Sequence, residues 1–237
     1  MIQGNDAPVS SEAEATEAVR RVVLFDFDGV IVRHQTLELF FRERVAGLGR
    51  WRLLLALPVV PFVPLLAPTV AGSRFLGRLF LRVVTFGRRE ATYRRLVDAF
   101  GRIYARRPGV FLRDAVLAMR RHMDAGDRVI IVSGNDLTLV EAILDEVGIS
   151  GYELMASQTR GGLFGVHFVR HNVEGVKVTT LDRAGVPRPW AVAYTDSLSD
   201  VPMLRAADAA VLVNPSRKME KKAAKALGDK LSVQHWF

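Results

Sequence analysis

The sequence contains no cysteine. That removes disulfide staples, thiolate metal sites and a cysteine nucleophile, and it suits a reducing compartment. It also has no lysine between Arg33 and Arg113, where sixteen arginines face four acids, Glu38, Glu43, Glu90 and Asp98. That stretch carries +12 of formal charge, so with a total of +8 the rest of the chain stands at −4. The basic excess is therefore regional. It reads either as a solvated arginine face or as attraction to an anionic surface, lipid headgroups or nucleic acid. The opening MIQGNDAPVSSEAEATEAVR lacks the basic start and apolar run of a secretory signal, and residues 1–20 read as a loose, disordered tail. No internal repeat is visible. His122, His167, His171 and His235 lack metal-ligand spacing and receive no role, whereas His34 lies close enough to the expected site to touch a substrate.

Apolar residues make up 49% and charged residues 24% of 237 positions, enough for a sizeable core in one domain, or one domain with an insert. The run Val22–Phe25 in RRVVLFDFDGV is apolar, β-branched and stops at Asp26, as a buried parallel strand does. RVIIVSG (128–134), WAVAYTD (190–196) and DAAVLVN (208–214) repeat that form, YELMAS (152–157) does so more weakly, and GGLFGVHFV alternates like a small hairpin. Helical spacing covers 111–123, 137–147, 176–184 and 201–207. Strands alternating with helices predict an α/β fold, a doubly wound parallel sheet covered on both faces. Over 34–108 the pattern is helical only. That predicts a core of 21–33 and 109–237 with an all-helical cap inserted after the first strand.

In such sheets ligands sit beyond the carboxyl ends of the strands. Asp26 with Asp28, Ser133, and Asp196 with Asp200 fall at those ends, and Lys177 opens the helix after the hairpin. Taken in order, DFDGV, IIVSGN, EGVKVTTL and YTDSLSDVPML resemble the four motifs of the haloacid dehalogenase superfamily of phosphatases across residues 22 to about 213. The resemblance implies a Rossmann-like core and a Mg²⁺-dependent phosphomonoester hydrolase. Asp26 would be the nucleophile that forms an aspartyl-phosphate. Asp28 would protonate the leaving alcohol and later activate water. Asp26, the Asp28 backbone carbonyl and Asp196 would hold the metal, with Asp200 holding a metal-bound water. Ser133 and the backbone N–H groups of Gly134 and Asn135 would bind the phosphoryl oxygens, and Lys177 would offset their charge. Val30 stands where Thr is commoner in the family, and Thr195 where Gly is usual.

The insert resembles the helical cap of subfamily IB, the phosphoserine phosphatase branch. Nine residues after the expected nucleophile, where that branch has a Glu for the substrate ammonium, this chain has the neutral Gln35. Its Phe-rich segment, the run LLLALPVVPFVPLL, TFG (85–87) with Glu90, ASQ (156–158) and YTDS are similar to the phosphatidylglycerophosphatase C family. That implies an anionic lipid phosphate such as phosphatidylglycerophosphate as substrate. The alternative is a soluble phosphorylated metabolite. Leu53–Gly72 has the length of a membrane span, but Pro58, Pro61, Pro64 and Pro68 interrupt it. One crossing would also put the first strand and the rest of the sheet on opposite sides. Two placements remain, a buried cap core and a bent, shallow contact with the bilayer surface. The prolines and the flanking Arg50, Arg52, Arg74 and Arg78 favour the second. The expected location is cytoplasmic, peripheral or monotopic on the inner membrane, with no nucleic acid partner. The basic RKMEKKAAKALGDK with its HWF ending reads as an exposed helix or a second contact.

Overall fold

The computed structural model describes residues 20–237; the tail expected over 1–20 lies almost wholly outside them. The chain enters the sheet at β1 (Val22–Phe25), a strand buried along its whole length. Period-two geometry then sends its side chains to opposite faces. Val23 and Phe25 pack with one cluster that includes Val97, Phe100, Met119 and Ile143, while Val22 and Leu24 pack with Leu181, Met203, Leu204 and Leu227. A strand that must be apolar on both sides cannot alternate, which is why VVLF reads as an unbroken run.

Six strands join it: β2 (Arg128–Asp136), β3 (Glu153–Gly162), β4 (Gly165–Arg170), β5 (Trp190–Thr195), β6 (Ala207–Val213) and β7 (Leu231–Gln234). Their order is β4-β3-β2-β1-β5-β6-β7, parallel except for β4, which turns back on β3 as the expected hairpin. β1 lies between β2 and β5, with Phe25 level with Ile131 and Tyr194. The last strand is not anticipated by the sequence reading. LSVQ is only four residues long and alternates half-buried and exposed positions at the sheet edge, too weak a pattern to stand out from a polar tail.

Between β1 and β2 lie α1 (Thr36–Gly49), a 3₁₀ helix over Arg50–Phe62, α2 (Val63–Leu66), α3 (Val70–Val84), α4 (Glu90–Ala105) and α5 (Arg113–Asp124). After β2 come α6 (Leu137–Glu146), α7 (Gly175–Arg183), α8 (Val201–Ala206) and α9 (Arg217–Leu227). α4 lies directly against α6: a Cβ on Gly101 would stand 2.8 Å from the Ala142 Cβ, so glycine permits that approach. The C-terminal segment is not an outlying contact. Ala223 and Leu227 of α9 are core residues, and Trp236 is buried beside the Tyr194 ring at 5.4 Å.

The proline-rich run is broken into the 3₁₀ stretch that contains Pro58 and Pro61 and the four-residue α2. No helix among the described residues is long and apolar enough to cross a membrane. The run is not cap core either, since Trp51, Leu54, Leu57, Val60, Phe62 and Leu65 are all exposed, Leu65 by 74%. Replacing Leu54 and Phe62 together by Ser should therefore move the thermal midpoint by less than about 2 °C in calorimetry. Phe100→Ala, in the buried cluster, should cost about 3–5 kcal/mol.

Candidate active site

β1, β2 and β5 end side by side, and the expected residues meet at that edge. They line one cavity of 430 Å³ that includes Asp26, Asp28, Ser133, Gly134, Asn135, Lys177, Asp196 and Asp200. Asp26 follows β1 directly; its backbone N–H donates to the Tyr194 carbonyl at 2.9 Å, which fixes it between the neighbouring strands. The chain then turns at Gly29, whose φ of +76° suits glycine, and a Cβ there would lie 2.0 Å from Asp196 Oδ2. The glycine of DFDG is thus required by the approach of the carboxylate after β5.

Lys177, in the first turn of α7, is buried with its Nζ 2.9 Å from Asp26 Oδ1 and 2.6 Å from Asp200 Oδ2. Burial works against its charge, but Asp26 and Asp200 together hold its pKa above the ordinary lysine value. For Asp26, burial raises the carboxyl pKa, Lys177 pulls it back, and Asp200 and Asp196 push it up again. Burial lifts Asp196 to about 6, with Asp200 adding to the rise. Asp200, expected beyond the metal's own ligands, is here the direct partner of Lys177.

Asp28 is also raised to about 6, mainly by burial and against the hydrogen bonds it accepts. Thr36 gives it two of these, from the backbone N–H at 3.2 Å and from Oγ1 at 2.8 Å. Asn135 Nδ2 donates to its other oxygen at 3.0 Å and also contacts Thr36 Oγ1. Asn135, expected to meet phosphoryl oxygens through its backbone, lines the cavity. Its N–H is taken by Ser133 Oγ at 3.0 Å, and its side chain serves Asp28. β2 continues to Asp136 and α6 opens at Leu137, where the helical spacing places it, capped by Asp136, whose Oδ1 accepts from the Thr138 N–H at 2.9 Å. Ser133 lines the cavity, and Gly134 keeps the end of β2 close to Val173, whose Cγ1 would be 2.7 Å from any Cβ there.

Several residues at this edge escape the sequence reading. Thr195, which stands where Gly is usual, donates to Asp200 Oδ2 at 2.9 Å and stands 3.4 Å from Asp26 Oδ2. Ser157 donates to the Gly134 carbonyl at 2.7 Å, and Asn172 Nδ2 reaches the Met155 carbonyl at 2.8 Å, so β3 and the hairpin end brace the Ser133 loop. His34 does not line the cavity; its Nδ1 lies 3.2 Å from the Tyr104 hydroxyl. His171 does line it, and burial with Arg78 and Arg74 nearby lowers its pKa to about 4. Glu174, at the head of α7 with φ 52°, ψ −133°, is on the cavity wall and is ion-paired with Arg74 of α3. Strand-end position signals the residue before Asp196, but local pattern cannot show that segments far apart in the chain converge here.

Among the described residues no three His, Cys, Asp or Glu side chains form a metal cluster. The expected set is of a different kind, two carboxylates, Asp26 and Asp196, with the Asp28 carbonyl. Its chemistry fits a hard divalent cation. Four buried or half-buried aspartates face the ammonium of Lys177 in this cavity, and burial, with the neighbouring carboxylates adding to it, raises Asp26 and Asp196.

A parallel sheet carrying an acidic pair, a hydroxyl, a buried lysine and a second acidic pair along its carboxyl edge defines a class of α/β hydrolases. The chain belongs to the haloacid dehalogenase-like hydrolase family, whose model matches residues 23–205. Over 107 residues, 43% of this chain, it is 30% identical to a putative hydrolase of Mycobacterium leprae and 29% identical to a phosphoserine phosphatase of Mycobacterium tuberculosis. Those matches span only 36% and 35% of the relatives' own lengths. Among solved structures, a Bordetella pertussis protein of unknown function is similar with a TM-score of 0.65 at 20% identity, covering 90% of this chain and 98% of that one. A phosphoserine phosphohydrolase-like protein of Francisella tularensis has 0.59 at 16%, covering 90% and 94%. At such identities these structures speak for the fold.

The raised carboxyls make a stability prediction. A folded pKa above the unfolded value of 3.8 stabilises the fold below that value and loses the contribution as pH rises through about 6. In chelator at pH 8, Asp196→Asn should therefore unfold later than the parent, by about 1–2 kcal/mol in urea titration, with the difference gone near pH 4. Adding Mg²⁺ should stabilise the parent more than the variant.

Proposed function

We propose that this chain is a Mg²⁺-dependent phosphomonoester hydrolase that works through an aspartyl-phosphate on Asp26 and acts on a small phosphorylated metabolite. The observation that carries this is the pairing of Asp26, held against Lys177, with Asp28, a carboxyl poised at about 6, in one polar cavity. The phosphoserine phosphatase among the relatives supports the choice of a small phosphorylated substrate.

The chemistry divides by environment. An Asp26 oxygen attacks phosphorus, and the bond from phosphorus to the alcohol oxygen breaks. Asp28 gives that oxygen its proton, which a carboxyl raised by burial can still hold near neutral pH. Asp28, now a carboxylate, takes a proton from water; the water oxygen attacks phosphorus, and Asp26 leaves with inorganic phosphate set free. Thr36 and Asn135 keep Asp28 aimed. Lys177 favours the charged form of Asp26 against burial and, with Ser133, meets the phosphoryl oxygens. Mg²⁺, held by Asp26, Asp196 and the Asp28 carbonyl, would supply positive charge to the transferred group. Gln35 on the cavity wall gives no charge to an ammonium, and Glu174 there is already paired with Arg74.

A second reading has its own observation. α3 reaches the cavity wall through Arg74 and packs along the exposed apolar turns, so the cavity adjoins a surface suited to lipid. This supports a lipid phosphate such as phosphatidylglycerophosphate, turned over at the cytoplasmic face of a membrane, in keeping with the phosphatidylglycerophosphatase C likeness.

Purified protein with Mg²⁺ should hydrolyse members of a panel of soluble phosphomonoesters faster than lipid phosphate in micelles; the reverse order selects the second reading. Asp26→Asn, folded by circular dichroism, should lose on the order of 10⁴-fold or more in kcat for every substrate. Retained turnover in that variant refutes the nucleophile. The pH profile tests Asp28 separately. A proton donor fails as pH rises through its pKa, and Thr36→Val removes a hydrogen bond that favours the charged form. The alkaline limb of kcat/KM should therefore move to higher pH in Thr36→Val; an unmoved limb assigns it to another group.

A further inference from the structure

The β3–β4 hairpin ends in Leu163 and Phe164, 92% and 69% exposed. Hairpin turns are ordinarily polar, and here the glycines on either side supply the turn geometry, so these two side chains do no packing that would require them. The tip is nonetheless rigidly mounted. Val166 N–H donates to Thr85 Oγ1 at 2.7 Å and Gly161 N–H to Glu90 Oε2 at 2.8 Å. Gly165 sits so close to α3 that a Cβ would stand 2.4 Å from the Arg82 carbonyl oxygen.

The same turn after α3 receives the start of the proline-rich segment, since Arg52 Nε donates to the Phe86 carbonyl at 2.7 Å. Hairpin tip and apolar turns are thus fastened to adjacent residues, Thr85 and Phe86. Charge follows the same boundary. Residues 44–89 hold eight arginines and no acid, and 160–170, RGGLFGVHFVR, hold two arginines, a histidine and no acid. Protruding aliphatic and aromatic side chains with a mainly basic surround, in which Glu90 is held by the Gly161 N–H and Arg94, match the layered chemistry of a bilayer interface, acyl chains beneath anionic headgroups. A phosphate backbone would satisfy the arginines but offer nothing to Leu163 or Leu65.

We propose that Leu163 and Phe164 form, with the exposed apolar turns of residues 51–66, one docking face for an anionic lipid bilayer. The face is independent of which phosphate the cavity hydrolyses. The test uses the full chain and vesicles of phosphatidylcholine with or without phosphatidylglycerol. The parent should sediment with the phosphatidylglycerol vesicles and be released by salt. Leu163→Ser/Phe164→Ser should partition at least about tenfold more weakly. Its thermal midpoint and its turnover of a soluble aryl phosphate should match the parent's. Equal partitioning of variant and parent overturns the proposal, as does a parent that ignores vesicles or binds duplex DNA in their place. An active parent that ignores vesicles refutes the docking face alone, and an inactive parent that binds them refutes the phosphatase reading alone.

Discussion

Lys177 holds the catalytic edge together. Its ammonium is buried within 2.9 Å of Asp26 and 2.6 Å of Asp200, and Asp196 adds further negative charge to the same small volume. A buried carboxylate group of this kind is unfavourable unless a cation is fixed among its members. The lysine meets this need from the head of α7, and Thr195 ties the two carboxylates it serves from the end of β5. Position follows from the sheet: only a strand flanked on both sides by parallel neighbours can set its terminal aspartate among groups from three other chain segments. The residual excess of negative charge is what makes the edge useful. Burial leaves Asp28 protonatable near neutral pH, and the excess leaves oxygen donors short of positive charge, so stability is given up where chemistry needs it.

Residues whose role is set by their own strand are legible in the sequence. Asp26, Asp28, Ser133 and Asp196 each follow an apolar run, and the period and length of those runs are local facts. Lys177 is legible for the same reason, at the opening of a helix. What local pattern cannot carry is partnership. Thr36 looks like an ordinary helix-start residue until Asp28 is folded back onto it, and nothing local shows that the Asn135 side-chain amide also reaches Asp28. Thr195 replaces a residue with no side chain, so nothing in the strand itself reveals that its hydroxyl will meet two carboxylates. β7 is invisible for another reason: an edge strand of four residues with one half-buried face carries too few apolar side chains to register.

The two parts of the chain treat apolar residues in opposite ways. In the core, Val22 to Phe25 are buried on both faces, and polar groups appear only where strands end. In the insert, Tyr93, Val97, Phe100 and Tyr104 of α4 are buried, yet the turns before α3 leave Leu54, Leu57 and Phe62 in solvent. Proline explains the contrast mechanically. Pro58 and Pro61 lie inside the 3₁₀ stretch and Pro64 in the short α2, so the chain bends before it can lay a continuous apolar stripe against a neighbour. α4 has no such interruption and keeps one face on α6.

Chemistry and selectivity are therefore built from different material. The carboxylates, serine and lysine belong to strand ends and the helix that follows the hairpin, and their geometry is fixed by the sheet. The wall that a leaving group would meet is mixed, with Gln35 and Leu37 from the beginning of the insert, His171 and Glu174 from the segment after the hairpin, and Arg74 reaching Glu174 from α3. Glu174 adopts a backbone conformation that a side chain normally avoids, and the ion pair to Arg74 helps to offset that cost. Because this pair spans from insert to core at the cavity wall, a substitution in α3 can alter what the cavity admits without touching Asp26, Asp28, Ser133 or Lys177. The shape of the far wall can thus vary while the strand ends stay as they are.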